Sequence, residues 1–412
     1  MDQRVAVVGA GYAGMAAAVT LVERGVSVTV FESGPVPGGR ARRVKIDGRE
    51  LDNGQHILIG AYTELLRLMR LVGVADGALL RMPLQLRYAD GFAFRSLHLP
   101  APLGLLAGLL ACGGLPFAER MGAIRFMQAL KKADFKVPSR LNVRDLLDQH
   151  RQSRSIGHYL WRPLCVSALN TPPEMASAQV FANVLRDSLA GKSGASDLLL
   201  PRVDLSRLFP EPACEFVRSH KGEILLNETV RDTQTLLKQF SSVILAVGPH
   251  RLASLLPYPL EFDYQPIYTC YLQYSEATGL PLPMLGFSEG LVQWAFDRGR
   301  LTGERGLIAC VISAQGDHQQ MSQDDLAMAC HRELADFLPE LPAPTWNRVI
   351  AEKRATLSCT GRGGFLGPDT LQPNLYIAGD YTYPQYPPTL EAAVRSGIVA
   401  ADAVTISPRR SS

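Results

Sequence analysis

The sequence predicts an α/β fold: a Rossmann-like dinucleotide-binding domain laid down in separate pieces, with an α+β domain interleaved between them. Three observations predict it. A strand, glycine turn, helix and second strand open the chain; short β-branched strands return near residues 220–250; and a last strand runs into Gly379-Asp380 ahead of a helix.

The opening run RVAVV, residues 4–8, is a short apolar strand ending at a glycine cluster. A helix of small residues is predicted over 13–24, with Gly25 free to take the left-handed conformation that ends helices. Residues 26–31 alternate around β-branched side chains and read as the second strand. Together these make a βαβ unit. Further helices are predicted over 63–72, 117–132, 143–149, 177–189 and 390–404. Strands are expected over 223–231, 242–247 and 375–378, and, in a different sheet, over 264–274 and within 291–312. The expected division is 1–90, 205–255 and 345–406 for the dinucleotide domain, 91–204 and 256–344 for the second domain, and a tail at 407–412.

A chain of 412 residues is long enough for two domains, and 47% hydrophobic with 20% charged residues is ordinary globular composition. A net charge of +3 gives no reason to expect a nucleic-acid partner. Seven cysteines lie singly with no CxxC pair, so neither a metal site nor a disulfide framework is expected. The first strand begins at once and leaves no room for a signal peptide, so a cytoplasmic location is expected. The stretch at 97–117 is apolar but broken by Pro100, Pro102, Gly104, Gly108, Gly113 and Gly114. Its uninterrupted part is shorter than the roughly 20 residues of a spanning helix. It is either a buried element or a surface lying against a membrane, since Arg120, Arg125, Lys131, Lys132 and Lys136 follow it (a membrane-facing segment near 97–136).

Gly9-Ala10-Gly11-Tyr12-Ala13-Gly14 follows a strand and opens a helix. Gly9 permits the tight turn, Gly11 admits a pyrophosphate to the backbone, and Gly14 lets helix and strand pack closely. Ala10 and Ala13 complete this fingerprint, and the free N–H groups of the helix start hold phosphate. Glu32, with Ser33 beside it, ends the second strand where an adenosine ribose would sit. Gly38-Gly39-Arg40-Ala41 offers a second grip on pyrophosphate through exposed amides and a guanidinium. In the closing segment, Asp380 after Gly379 could bind ribityl hydroxyls, which FAD has and NAD lacks. The following helix begins Thr389-Leu390-Glu391-Ala392, with Thr389 as N-cap. Aimed at a flavin pyrimidine, its N-terminus would favour the reduced ring. The cofactor expected is therefore FAD.

The first forty residues resemble the flavin amine oxidase and phytoene desaturase superfamily, which implies a GR2-type, amine oxidase-like FAD domain. Residues 51–62 (LDNGQHILIGAY), 161–178, 198–213 and 352–356 (EKRAT) are similar to the bacterial squalene-associated FAD-dependent desaturases, also called hydroxysqualene dehydroxylases. This resemblance spans nearly the whole chain. It implies reductive removal of the hydroxyl of hydroxysqualene to give squalene, in hopanoid synthesis, downstream of two synthase-like enzymes. It also implies that Gly54, Gln55 and His56 line the flavin ring, that Val230 meets the adenine, and that Ala246 and Gly248 lie beside the cofactor. Loss of water from an allylic alcohol leaves a delocalised cation for a hydride to quench, and the hydroxyl needs a proton to leave. His56 is the candidate catalytic acid, the alternative being that it only hydrogen-bonds the flavin or the backbone. A long apolar isoprenoid needs an apolar pocket. The rival readings are an oxidative carotenoid-type desaturase or amine oxidase, and an isoprenoid-binding escort protein without redox chemistry.

Overall fold

A computed structural model describes residues 4–97, 99, 103–152, 154–189, 194–256, 262–360, 372–383 and 386–406. The expected tail, 407–412, lies outside them.

Two five-stranded sheets organise the chain. The first is parallel throughout, in the order Glu223–Leu226, Ser27–Glu32, Arg4–Val8, Ser242–Leu245, Leu375–Ile377. The chain leaves Arg4–Val8 toward Ser27–Glu32 on one side and reaches it again from Ser242–Leu245 on the other. A crevice therefore opens beyond the carboxyl end of the first strand, where parallel sheets bind ligands. Helix Tyr12–Glu23 crosses between the first two strands and buries every residue from Tyr12 to Val22. An amphipathic helix would leave one face wet. This one is enclosed because helices Leu390–Ile406 and Pro210–Ser219 pack on it. The contact with Leu390–Ile406 is close enough that a Cβ on Gly397 would fall 2.1 Å from the Ala13 carbonyl oxygen.

The second sheet is antiparallel, in the order Met284–Gly286, Trp294–Asp297, Leu307–Ser313, Tyr264–Gln273, Trp346–Leu357. Its period of two separates two cores. Cys270, Leu272, Ile308, Cys310 and Ile312 face helix Gln323–Phe337 and one cluster, while Tyr271, Leu307, Ala309 and Val311 face the opposite one. That opposite cluster is completed by helices Phe117–Lys132, Val143–Gln149, Arg162–Leu169 and Ala178–Leu189. All seven cysteines are free and buried.

Several expectations need correction. Strand Trp346–Leu357 pairs with Tyr264–Gln273 in the second sheet, so a domain boundary at 345 falls too early. The physical reason is that Val349 and Ile350 bury on opposite faces of that sheet, one in each core. The expected strand over 223–231 stops at Leu226. Residues 291–312 are interrupted by helix Arg298–Thr302, which Asp297 caps by accepting from the Arg300 amide. Leu198–Pro201, expected within the second domain, pairs with Leu58–Ile59 and Leu79–Met82 from the first.

Ahead of Arg162–Leu169, residues Gly157–Trp161 form a π-helical turn. Pro163 has no N–H to give the Tyr159 carbonyl four residues back, and the Tyr88 hydroxyl donates to that oxygen at 3.2 Å.

Candidate functional site

The two glycine motifs meet. The Gly38 amide donates to the Ala10 carbonyl at 2.9 Å. Gly39, at φ +61°, would place a Cβ 3.3 Å from the Gly11 Cα, so both loops present bare backbone to one space. Gly14 does what its position predicts: a Cβ there would lie 1.9 Å from the Gly9 carbonyl oxygen, which seats the helix against the strand. Gly11, at the N-cap, supplies no side chain to the helix start, so the first-turn amides are left for a ligand. Glu32 accepts from the Ala10 amide and the Gly34 amide, each at 2.8 Å, and is thereby fixed at the end of its strand.

These loops border a cleft of about 570 Å³ that runs between the two sheets. Gly9, Gly11, Ala13, Glu32, Ser33, Gly38, Gly39, Arg40 and Ala41 line it, as do Gly54, Gln55, His56, Val230, Ala246, Gly248, Gly379, Asp380, Thr389 and Leu390. Ala10 and Gly14, also expected at the cofactor, do not line it: Ala10 is buried and Gly14 packs on Gly9. Arg40 reaches across to Asp380, Nη2 to Oδ1, at 2.6 Å, and its Nη1 donates to the Ala355 carbonyl at 2.7 Å. The arginine expected to grip pyrophosphate is thus also the tie between the opening and closing segments. Thr389 is the N-cap it was expected to be, accepting from the Ala392 amide at 3.2 Å.

Two expected site residues turn their side chains away. Glu391 is fully buried, and its carboxylate accepts from the Glu64 and Leu65 amides at 3.0 and 2.9 Å. It caps helix Thr63–Leu71, whose own start has no side-chain cap. Arg395, one turn along, donates to the same carboxylate at 2.7 Å. Ala392 is buried beside it and is absent from the cleft wall. On a helix, four successive side chains cannot all face one ligand, whereas the first-turn amides can.

His56 stands in the cleft wall with its ring bonded to the backbone. Its Nδ1 lies 2.9 Å from the Gly54 carbonyl oxygen, which can only accept. In the neutral ring Nδ1 therefore carries the hydrogen and Nε2 is a bare acceptor. Burial pushes the pKa below the usual histidine value, with a smaller push from the Arg40 guanidinium, against the opposing effect of the Gly54 bond. Both the bond to Gly54 and the direction of this shift favour the alternative, a hydrogen-bonding role.

Sequence reasoning missed the opposite wall. Ile267, Trp294, Phe296 and Val311 of the second sheet line the cleft, with Ile57 and Ala168. Alternation in those strands signals a buried face, but only the packing shows that the face borders a cavity. Behind the wall Asp52 is buried with Arg298, Nη1 to Oδ2 3.2 Å, and its other oxygen accepts from the Leu205 amide at 2.8 Å. Burial outweighs the arginine and pushes the Asp52 carboxyl up to about 6. Among the described residues no group of side chains could hold a metal ion.

A parallel sheet with a phosphate-binding crevice, joined to an antiparallel sheet across a cleft, defines a dinucleotide-dependent oxidoreductase. The profile of the flavin containing amine oxidoreductases matches residues 12–405, and the chain belongs to that family. It is 28% identical to the hydroxysqualene dehydroxylase of Sinorhizobium fredii, over 98% of each chain. It is likewise 28% identical to that of Rhodopseudomonas palustris, over 99% of this chain and 100% of the relative. A solved putrescine oxidase variant superposes with a TM-score of 0.73 at 16% identity, covering 98% of this chain and 99% of that one, and shares the fold. The cofactor is FAD, and the paired glycine loops, uncapped helix start and Glu32 fit its diphosphate and adenosine ribose.

Proposed function

We propose that this chain is an FAD-dependent hydroxysqualene dehydroxylase, replacing the allylic hydroxyl of hydroxysqualene by hydrogen to give squalene. The observation that carries this reading is the division of the cleft: glycine loops, Glu32, Arg40 and Asp380 on one side, and Ile57, Ala168, Ile267, Phe296 and Val311 on the other. The second set offers a C30 hydrocarbon an apolar surface, bordered by the polar Ser167, Asn170 and Ser313. The near full-length similarity to two hydroxysqualene dehydroxylases supports the same substrate.

Bound FAD, once reduced, would supply the hydride. The chain's part is to hold the residues of the first forty positions around the diphosphate and ribose, with Val230 at the adenine and Gly54, Gln55 and His56 at the ring. The apolar wall excludes water from the carbon that loses its hydroxyl. Trp294 and Phe296 line that wall, and aromatic rings so placed would stabilise a delocalised cation. Anaerobic incubation of the reduced holoenzyme with hydroxysqualene tests the reading: squalene is expected, and unchanged hydroxysqualene overturns it. Incubation of the oxidised protein with phytoene distinguishes an oxidative desaturase, and a colourless protein that binds isoprenoids without flavin would mark an escort.

The substrate class calls for access from lipid, and one surface fits that need. Leu97, Leu99, Leu103, Leu110 and Phe117 are exposed by 45 to 66% around helix Leu103–Ala111. Among the described residues no helix is long and apolar enough to cross a membrane. Of the expected basic face, Arg120 is engaged at home, donating to the Leu110 and Leu115 carbonyls at 2.7 and 2.8 Å. Arg125, Lys131 and Lys132 are exposed. We propose peripheral docking of this face on anionic lipid. Co-sedimentation with vesicles containing anionic phospholipid is expected, and to weaken for Phe117→Ser; equal recovery with and without vesicles overturns it.

A further inference from the structure

Arg298 opens the short helix Arg298–Thr302 and keeps 2% of its exposure. Its Nη1 donates both to Asp52 Oδ2, at 3.2 Å, and to Gln55 Oε1, at 3.1 Å. Its Nε and Nη2 go to Glu304 Oε2, at 2.9 and 2.7 Å. Every hydrogen-bonding atom of a guanidinium is a donor, so the Gln55 atom facing it is the amide oxygen. The orientation of the amide is thereby dictated by its partner. The opposite end of the amide, Nε2, has no acceptor among the described residues, and Gln55 lines the cleft. The Gln55 backbone is held as well, its amide lying 3.4 Å from the Thr269 hydroxyl.

We propose that Arg298 is a positioning residue that locks the Gln55 amide with its NH₂ turned into the cleft, as a hydrogen-bond donor to the ring of bound FAD. Without this lock the amide could rotate and present its oxygen to the same ring. A fixed donor there favours the reduced ring, which carries more negative charge, without reorganisation at the moment of reduction. Arginine suits the task because one planar fork reaches Asp52, Gln55 and Glu304 together. A lysine would keep a charge for Asp52 but cannot hold all three.

The test measures the reduction potential and visible spectrum of FAD in the holoenzyme, without substrate, for Gln55→Leu, Arg298→Lys and the double variant. Both single variants are expected to lower the potential. The double variant is expected to lower it no further than Gln55→Leu alone, because the arginine acts through the glutamine. A wild-type potential in either single variant, or fully additive shifts, overturns the proposal. If Arg298→Lys does not fold, Asp52→Asn/Arg298→Met removes both buried charges together and is read against Gln55→Leu by the same criteria. Because no substrate enters the measurement, its failure would leave the dehydroxylase reading standing.

Discussion

Arg40 and Asp380, 340 positions apart, are joined at 2.6 Å by Nη2 and Oδ1. The aspartate side chain is 6% exposed and the arginine 34%, so the pair sits at the lip of the cleft rather than in bulk solvent. This one contact ties the second glycine loop to the closing Gly-Asp segment around the space proposed for FAD.

Asp380→Asn is expected to weaken FAD binding at least tenfold, about 1.4 kcal/mol, because the arginine loses its charge partner and the cleft loses an anionic acceptor. Flavin content after gel filtration and the dissociation constant for added FAD measure it. Wild-type retention of FAD would show that the pair is structural only.

Replacing His56 by glutamine is expected to leave turnover within about tenfold of wild type. The imidazole is depressed below its ordinary pKa and bonded through Nδ1, so it is not a reservoir of protons at neutral pH. The unfolded histidine takes up a proton first as pH falls, so the contribution of a neutral buried His56 is present above about 6.5 and lost below it. Wild type should therefore lose stability relative to His56→Gln on acidification from pH 7.5 to 5.5. A hundredfold loss of turnover would restore the acid role.

Asp52 is predicted to titrate in the folded protein at about 6, above its ordinary value of 3.8. A carboxyl raised in this way adds stability below the unfolded value and loses it as pH rises through the folded one. Relative to Asp52→Asn, wild type should gain on the order of 2 kcal/mol between pH 7 and pH 4. Chemical denaturation at each pH measures the difference, and a flat difference removes the shift.

Glu391→Ala is expected to cost about 2 kcal/mol of stability by uncapping helix Thr63–Leu71 and removing the charge partner of Arg395. The melting temperature should fall while the reduction potential of bound FAD stays near wild type. A shift of potential with unchanged melting would return Glu391 to the cleft.

The local rules worked where chemistry and chain direction are set by neighbours. Helices Phe117–Lys132 and Val143–Gln149 have the predicted ends, and the opening strand, glycine turn and helix stand where their spacing put them. Helix Gln323–Phe337 went unassigned, although Ser322 caps it by accepting from the Asp325 amide and acids fill its first turn. Residues 346–357 were assigned to the dinucleotide domain and not to a strand, yet they pair with Tyr264–Gln273, because a strand's residues record which faces are buried but not which partner buries them.

By itself the sequence determined the βαβ unit, the glycines that admit a phosphate, Glu32, the capped closing helix and the resemblance that names the cofactor. Each depends on residues within a few positions of one another, where backbone sterics and hydrogen-bonding are local. Only the tertiary structure decided that Arg40 meets Asp380, that Glu391 serves another helix, and that Arg298 orients Gln55 from 243 residues away. Those contacts arise from how two sheets pack across a cleft, and a side chain carries no mark of the partner that packing will bring to it.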